Sequence, residues 1–255
     1  MNKYRIRITN WHKKFVVEER YVSPQVRSKL IAAAFVLMGI GLAFFIALII
    51  QVTMNTGIVH QDHLVASWFV QHRNPNITPI MIALATVFGP IYLPIILLIV
   101  IIVWIITAKH VWRPLLLAGF MILGVVIVQV LAHIVGRARP PIDLMLLGAD
   151  HTFSFPSGHV MGVSDFFLIT SYLLISRNPT RRRISIGIIV TLFAIGIQII
   201  SRLYLGYHWM SDTLTSVSLA LVMLSLVVLI DTWRTVRIPG ERIKGKYSKP
   251  QTDQT

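Results

Sequence analysis

Phe153-Ser154-Phe155-Pro156-Ser157-Gly158-His159 lies between long apolar runs and holds a turn, a helix start and a titratable ring within seven residues. Pro156 cannot continue a helix arriving from the preceding side without cost. Ser157 is a favoured N-cap, and the apolar run after it reads as a helix. A helix starting there points the amides near Gly158 and His159 outward, toward any bound anion. Gly158 has no side chain to hold a phosphate off that backbone. A capped helix after a turn explains the tetrapeptide equally well, so the decision rests on where the other polar residues fall.

The 255 residues are 55% hydrophobic and only 13% charged, where soluble domains carry about 25% charged residues. Apolar runs near 20 residues recur, the length a helix needs to cross a bilayer. The chain reads as an all-α, six-span membrane protein. The expected spans are Leu30–Val52, Ile77–Ala108, Pro114–Ile134, Ser157–Ser176, Ile184–Leu203 and Asp212–Ile230. Pro79, Pro90 and Pro94 predict a tilt or kink in the long second stretch. Between the first two, Asp62–His72 carries Leu64, Val65, Trp68 and Phe69 at helical spacing, which predicts a short interfacial helix with Trp68 at headgroup level. Basic tails at 1–29 and 232–255 flank the 30–231 bundle; the first either lies on the membrane surface or is solvated. The absence of cysteine excludes disulfides, thiolate metal sites and a cysteine nucleophile.

Six spans put both termini on one side. Twenty Lys and Arg then share that side, and only Arg73, Arg137, Arg139 and Arg202 lie on the other. Basic loops stay cytoplasmic, so both termini are expected inside. The net charge of +14 thus marks topology and contact with anionic headgroups rather than nucleic acid. Three of the four opposing arginines belong to polar clusters at neighbouring span ends: Arg137/Arg139, Ser157-Gly158-His159, and Arg202 with His208 and Asp212.

Arginine presents a planar fork of donors that matches phosphate oxygens. Arg139, Arg202 and the helix start at Ser157-Gly158 form a possible oxyanion cradle. His208 and Asp212, four residues apart, share a face if the sixth helix begins early. A carboxylate accepting the imidazole N–H leaves the other nitrogen free as a nucleophile, and His159 is then available to protonate a leaving oxygen. Phosphoryl transfer needs mainly positioning and charge neutralisation, which this set supplies without a metal or other cofactor. Each piece also has a plainer role: Asp212 as a helix cap, Arg202 snorkelling to headgroups, a histidine at an interface.

At this point the residues resemble the type 2 phosphatidic acid phosphatase superfamily, which shares its site with vanadium haloperoxidases. That family shows Lys, six residues, Arg-Pro; then Pro-Ser-Gly-His; then Ser-Arg, five residues, His, three residues, Asp. The second is Pro156–His159 and the third is complete from Ser201-Arg202 through His208 to Asp212. The resemblance covers about residues 80–230. It implies His208 as a nucleophile forming a phosphohistidine, Asp212 orienting it, His159 as the acid, and Arg139, Ser157, Gly158 and Arg202 holding phosphate. The first signature departs: Arg139-Pro140 is present, but Ala132 stands where the family has lysine. His133 and Arg137 are near in sequence without matching that position. Losing one donor to developing charge costs on the order of 10²–10³ in rate.

The resulting expectation is a multi-pass lipid phosphatase of a bacterial plasma membrane. Its site faces outside, and it acts on undecaprenyl diphosphate, phosphatidylglycerol phosphate or phosphatidate. The alternatives on the same fold are a lipid phosphotransferase, or a phosphate-lipid binding or transport protein whose turnover is reduced by Ala132. Within the spans, Gln129 and Gln198 are expected as interhelical hydrogen-bond glue. Asp165 is expected as a bundle partner or relay, or as a hydrogen-bonded acid beside a water-filled cavity. The tyrosines near the outer boundary and Trp209 are expected in the aromatic belt.

Overall fold

The computed structural model describes residues 15–242 and 248–250. Among these, eight α-helices and three short strands follow one another. They are β1 (Val17–Tyr21), α1 (Pro24–Thr53), α2 (Ile58–Gln71), α3 (Thr78–Val87), α4 (Tyr92–Thr107), α5 (Trp112–Val135), α6 (Gly158–Ile175), α7 (Arg181–Tyr204), α8 (Met210–Thr235), β2 (Val236–Arg237) and β3 (Ser248–Pro250). Five helices are long and apolar enough to cross a membrane, or six spans if α3 and α4 count as one.

Helix ends follow cap chemistry where hydropathy alone misplaces them. Ser23 accepts a bond from Val26 N–H and Pro24 occupies the first turn, so α1 starts before the expected Leu30. Thr180 accepts from Arg183 N–H and starts α7 ahead of Ile184. Gly136, at φ 62°, ends α5 in the left-handed conformation that glycine adopts without steric cost. The long second stretch breaks at Phe88–Ile91, around Gly89-Pro90, and its halves α3 and α4 meet at 53°. Proline removes a backbone donor and clashes with the preceding turn, which accounts for a break there.

The bundle is all-helical as expected, with one small addition that the sequence did not announce. β1 is the middle of a small parallel sheet, with Arg20 opposite Val236 and Val17 opposite Ser248. Both lie in segments expected as tails, and their pairing brings the start of α1 and the end of α8 to the same end of the bundle. Residues 1–14, which hold Ile6, Ile8 and Trp11 of the segment expected to lie on the membrane surface or be solvated, are outside the described residues.

α8 is the central helix, packing against α1, α2, α5, α6 and α7. Its Leu219, Ala220, Met223 and Val227 join Leu117, Phe120 and Met121 of α5 and Met161, Ile169 and Leu173 of α6 in the main core. In a bilayer, small residues let helices approach closely, and packing replaces the hydrophobic drive. Gly41 of α1 serves that purpose: a Cβ there would sit 2.7 Å from the Ser218 carbonyl oxygen.

Two polar expectations within the spans are corrected. Gln129 is exposed on the outer face, and both side-chain polar atoms of the buried Gln198 lack a hydrogen-bond partner, so neither is hydrogen-bond glue between helices. Asp165 is buried against Gly124, where a Cβ would collide with its carboxylate, and its Oδ1 has no protein partner.

Gly41→Ala should destabilise the protein by about 1–3 kcal/mol through overpacking. Gly39→Ala, where nothing lies within 4 Å, should leave stability unchanged or slightly raised. Thermal unfolding in detergent separates the two, and equal effects would contradict the close α1–α8 approach.

Candidate active site

The end of the bundle opposite the sheet gathers the 136–157 loop, the start of α6, the end of α7, the start of α8 and helix α2. Gly136 turns the chain out of α5, and Ser154 N–H donates to the Arg137 carbonyl at 2.9 Å, closing the loop on itself. Arg73, Arg137, Arg139 and Arg202 all lie at this end, as the charge pattern anticipated.

His208 lies just before α8, whose first residue is Met210, so it does not share a helix face with Asp212. Its Nδ1 is 2.8 Å from the Ser154 carbonyl, which can only accept, so Nδ1 carries the proton. Its Nε2 is 3.3 Å from Arg139 Nη1, which can only donate, so Nε2 is the bare nitrogen. The two contacts fix one neutral tautomer. Burial, reinforced by the charges of Arg202 and Arg139, holds the His208 pKa well below the ordinary histidine value. The ring is therefore neutral at neutral pH.

Asp212 is 3.6 Å from His208 Nδ1, beyond a hydrogen bond. Its carboxylate instead accepts from Ser154 Oγ–H and from Trp209 N–H, the latter at 2.9 Å. It caps α8 and also holds Ser154, the residue whose carbonyl orients His208. Its other oxygen takes Arg137 Nη1 at 2.6 Å. Arg137 Nη2 reaches Asp62 of α2 at 2.7 Å, and Asp62 also receives Ser211 N–H at 2.9 Å and Ser211 Oγ–H at 2.6 Å. Arg137 is thus committed to two buried carboxylates. His133 is exposed, donating from Nδ1 to the Gln129 carbonyl at 2.7 Å.

A cavity of about 310 Å³ opens beside this frame, lined by His159, Arg202, Tyr207, Asp150 and Ala85 among others. Arg202 is 4% exposed and stacks 4.7 Å from the Tyr207 ring centroid. It does not snorkel, and its Nε is buried with no partner. Ser157 stands at the N-cap of α6, but its Oγ makes no capping bond and is buried without a partner. Its backbone is tied to α8 on both sides, N–H to the Asp212 carbonyl and C=O from Ser216 Oγ–H. Gly158 is exposed, and a Cβ there would make ordinary contact with Val128 at 3.6 Å, so protein packing does not demand glycine. Buried donors without acceptors are costly. Arg202 lines the polar cavity, so its open Nε suits an oxyanion; Ser157, Arg139 and His208 stand behind the lining residues.

Arg139 joins the frame to the cavity wall through Asp150, which lines the cavity. Besides His208 it bonds the Tyr207 carbonyl at 2.7 Å, Thr152 Oγ1 at 2.9 Å and Asp150 at 3.1 Å. Burial of Asp150, which favours its neutral form, is outweighed by bonds from Thr152 and the charge of Arg139, so its pKa falls below the usual carboxylate value. Ala132 brings no donor. Among the described residues the lysines are Lys29, Lys109 and Lys249, all at the other end.

Sequence reasoning missed Asp62, Ser154, Ser211 and Asp150. Asp62 had a readable signal: it shares a helical stripe with Val59 and Phe69, so an acid faced inward. Tyr204, Tyr207 and Trp209, expected in a belt, are buried. Trp209 Nε1–H donates to the Ala138 carbonyl at 3.0 Å, and the Tyr207 hydroxyl anchors Leu147 and Gly148 of the cavity wall.

Known proteins share part of this sequence and its fold. The profile of the PAP2 superfamily matches residues 113–235. Phosphatidylglycerophosphatase B of Bacillus subtilis (strain 168) is 35% identical over 101 residues, which are 39% of this chain and 48% of that protein, so the match spans about half of that relative. The crystal structure of a transmembrane PAP2 type phosphatidylglycerolphosphate phosphatase from Bacillus subtilis superposes with a TM-score of 0.68 at 25% identity, covering 76% of this chain and 96% of that one. The part of the chain similar to the PAP2 superfamily, residues 113–235, is the region that carries His159, Arg202, His208 and Asp212.

Proposed function

We propose that this chain is an integral membrane phosphatase that removes the terminal phosphate of phosphatidylglycerol phosphate or a chemically similar lipid. The observation that carries the reading is the His208 ring, whose Nε2 is kept unprotonated by a backbone carbonyl on one side and a guanidinium on the other. The choice among lipid phosphates leans on the two relatives, both named for phosphatidylglycerol phosphate.

Phosphate enters the cavity and takes the donors of Arg202, Ser157 and the α6 amides. Arg139 moves its fork from His208 to the phosphate oxygens, baring Nε2. Nε2 attacks phosphorus in line, forming the N–P bond as the P–O bond to glycerol breaks. His159 gives its proton to the departing oxygen. Water then attacks the phosphohistidine, His159 takes the water's proton, and inorganic phosphate leaves. Arg139 and Arg202 neutralise the charge throughout, the main demand of phosphoryl transfer. Asp212 holds Ser154 and the start of α8, so it orients His208 through the Ser154 carbonyl.

Purified protein should release phosphate from phosphatidylglycerol phosphate faster than from phosphatidate or undecaprenyl diphosphate, and His208→Ala should abolish release from all three. Undiminished release by the variant would remove His208 from the mechanism. Phosphate appearing on an added lipid acceptor instead of in solution would make the protein a transferase.

Ala132 supports a second reading, a phosphate-lipid binding protein with weak turnover. Ala132→Lys should raise kcat by on the order of 10² if the amine reaches phosphate, as one donor to the developing charge is worth about 2.7–4 kcal/mol. An unchanged kcat would show that the two arginines suffice.

For the sidedness, among the described residues all Lys and Arg but Arg73, Arg137, Arg139 and Arg202 lie away from the site, which favours a site facing outside and both termini in the cytoplasm. Protease added to intact cells should leave tags on either terminus uncut; cleavage would place the site inside.

A further inference from the structure

A second cavity, of about 450 Å³, lies at the other end of the bundle, between the first turns of α1, the second half of α6 and the first half of α7. Its walls are aliphatic, including Leu30, Leu168, Ile188 and Leu224. The hydroxyls facing it, Ser171 and Thr191, bond each other at 3.0 Å and so ask nothing of an occupant. Among the lining residues, Arg20 Nε is the one buried polar atom without a partner.

Arg20 stands in a positive cluster. Arg177 and Arg113 act on it electrostatically, and Asp231 is the carboxylate among them. Asp231 is already saturated by a two-point bond from Arg177 at 2.9 and 3.0 Å, Tyr172 OH at 3.0 Å and Trp112 Nε1–H at 2.9 Å. The neighbouring Glu18 lies 3.6 Å from His110, and Glu19 is paired with Arg234 at 3.1 Å and Arg237 at 2.8 Å. Five guanidinium groups therefore meet three carboxylates, an excess of positive charge at the mouth of an apolar slot. Guanidinium forks favour phosphate oxygens, and a slot of this size is within the about 300–1,000 Å³ of ligand pockets.

We infer that this slot is a binding site for an anionic glycerophospholipid of the surrounding bilayer, distinct from the phosphatase cavity. One acyl chain lies along α6 and α7, and the phosphodiester rests on Arg20 with Arg113 beside it. The chain argues for a lipid over a free anion, since an inorganic phosphate leaves the aliphatic walls bare. The lipid bridges β1, α1, α6 and α7, elements that otherwise meet around the slot without filling it.

The test uses the full-length protein in detergent with dioleoyl phosphatidylglycerol, dioleoyl phosphatidylcholine or inorganic phosphate. Retained lipid is read by native mass spectrometry and stability by thermal unfolding. Phosphatidylglycerol should be retained, and should raise the unfolding temperature, more than phosphatidylcholine; inorganic phosphate should do neither. Arg20→Gln should weaken phosphatidylglycerol binding at least 5-fold and remove most of its advantage. Ile188→Trp, from a half-exposed wall position on α7 that cannot disturb the core, should weaken both lipids and leave lipid-free stability unchanged. Phosphatidylglycerol binding unchanged in both variants would overturn the inference and place the lipid elsewhere, the catalytic cavity included. Stabilisation by inorganic phosphate equal to that by the lipid would reduce the site to an anion site. A dimer that dissociates in Ile188→Trp with no lipid retained would make a second copy the occupant.

Discussion

Arg137 between Asp62 and Asp212 is the constraint on which the rest of the site depends. Both carboxylates are fully buried, with contacts of 2.7 and 2.6 Å to the guanidinium. Without that charge, two acids would face each other in a low-dielectric interior, where an unpaired ion costs several kcal/mol. The pair fixes three separate stretches: α2 through Asp62, the loop after α5 through Arg137, and the start of α8 through Asp212 and Ser211. Several other contacts at the site build on this clamp. Asp212 positions Ser154 and the Ser154 carbonyl positions His208. The Asp212 and Ser216 contacts seat the first turn of α6, which carries His159.

The clamp also divides the arginines. Arg137 is consumed by structure, although sequence proximity made it a candidate for phosphate. Arg139 and Arg202 remain for the cavity, one sharing its fork with His208 and the other buried with an open donor. A third cation of the family pattern is missing at Ala132. In the proposed mechanism Arg202, already desolvated and held against Tyr207, would meet phosphate without reorganisation, which is where electrostatic catalysis gains most. The second polar end, around Asp231, repeats the principle of carboxylate saturation but leaves an excess of arginine facing an apolar slot.

Much of this was legible in the sequence, and the failures have physical causes. Hydropathy located the long apolar helices because lipid imposes a single demand on length and composition. The charge pattern correctly put Arg137, Arg139, Arg202 and His208 at one end. It misjudged what each one touches, because side-chain pairing depends on a fold that hydropathy does not see. His208 and Asp212 at four-residue spacing looked like one helical face; the helix begins between them, at Met210, and Ser154, from fifty residues earlier in the chain, supplies the carbonyl. Trp209 and Tyr207 looked like belt residues, since aromatic rings at a span end usually meet headgroups; here they wall the site. The short strands escaped notice because a few ladder bonds leave no periodic trace. Asp62 was overlooked because its helix was read for the apolar stripe rather than for the acid within it.

The central claim is that Nε2 of His208, not Nδ1, attacks phosphorus, because Nδ1 is committed to the Ser154 carbonyl. Rapid quenching of the enzyme during turnover of phosphatidylglycerol phosphate, under alkaline conditions that preserve phosphohistidine, tests it most directly. Peptide mass spectrometry and phosphorus NMR on the quenched protein report which residue and which ring nitrogen carry the phosphoryl group. The account predicts a single phosphoryl group on Nε2 of His208. A phosphoryl group on Nδ1, on His159, or on no histidine while phosphate is being released would contradict it.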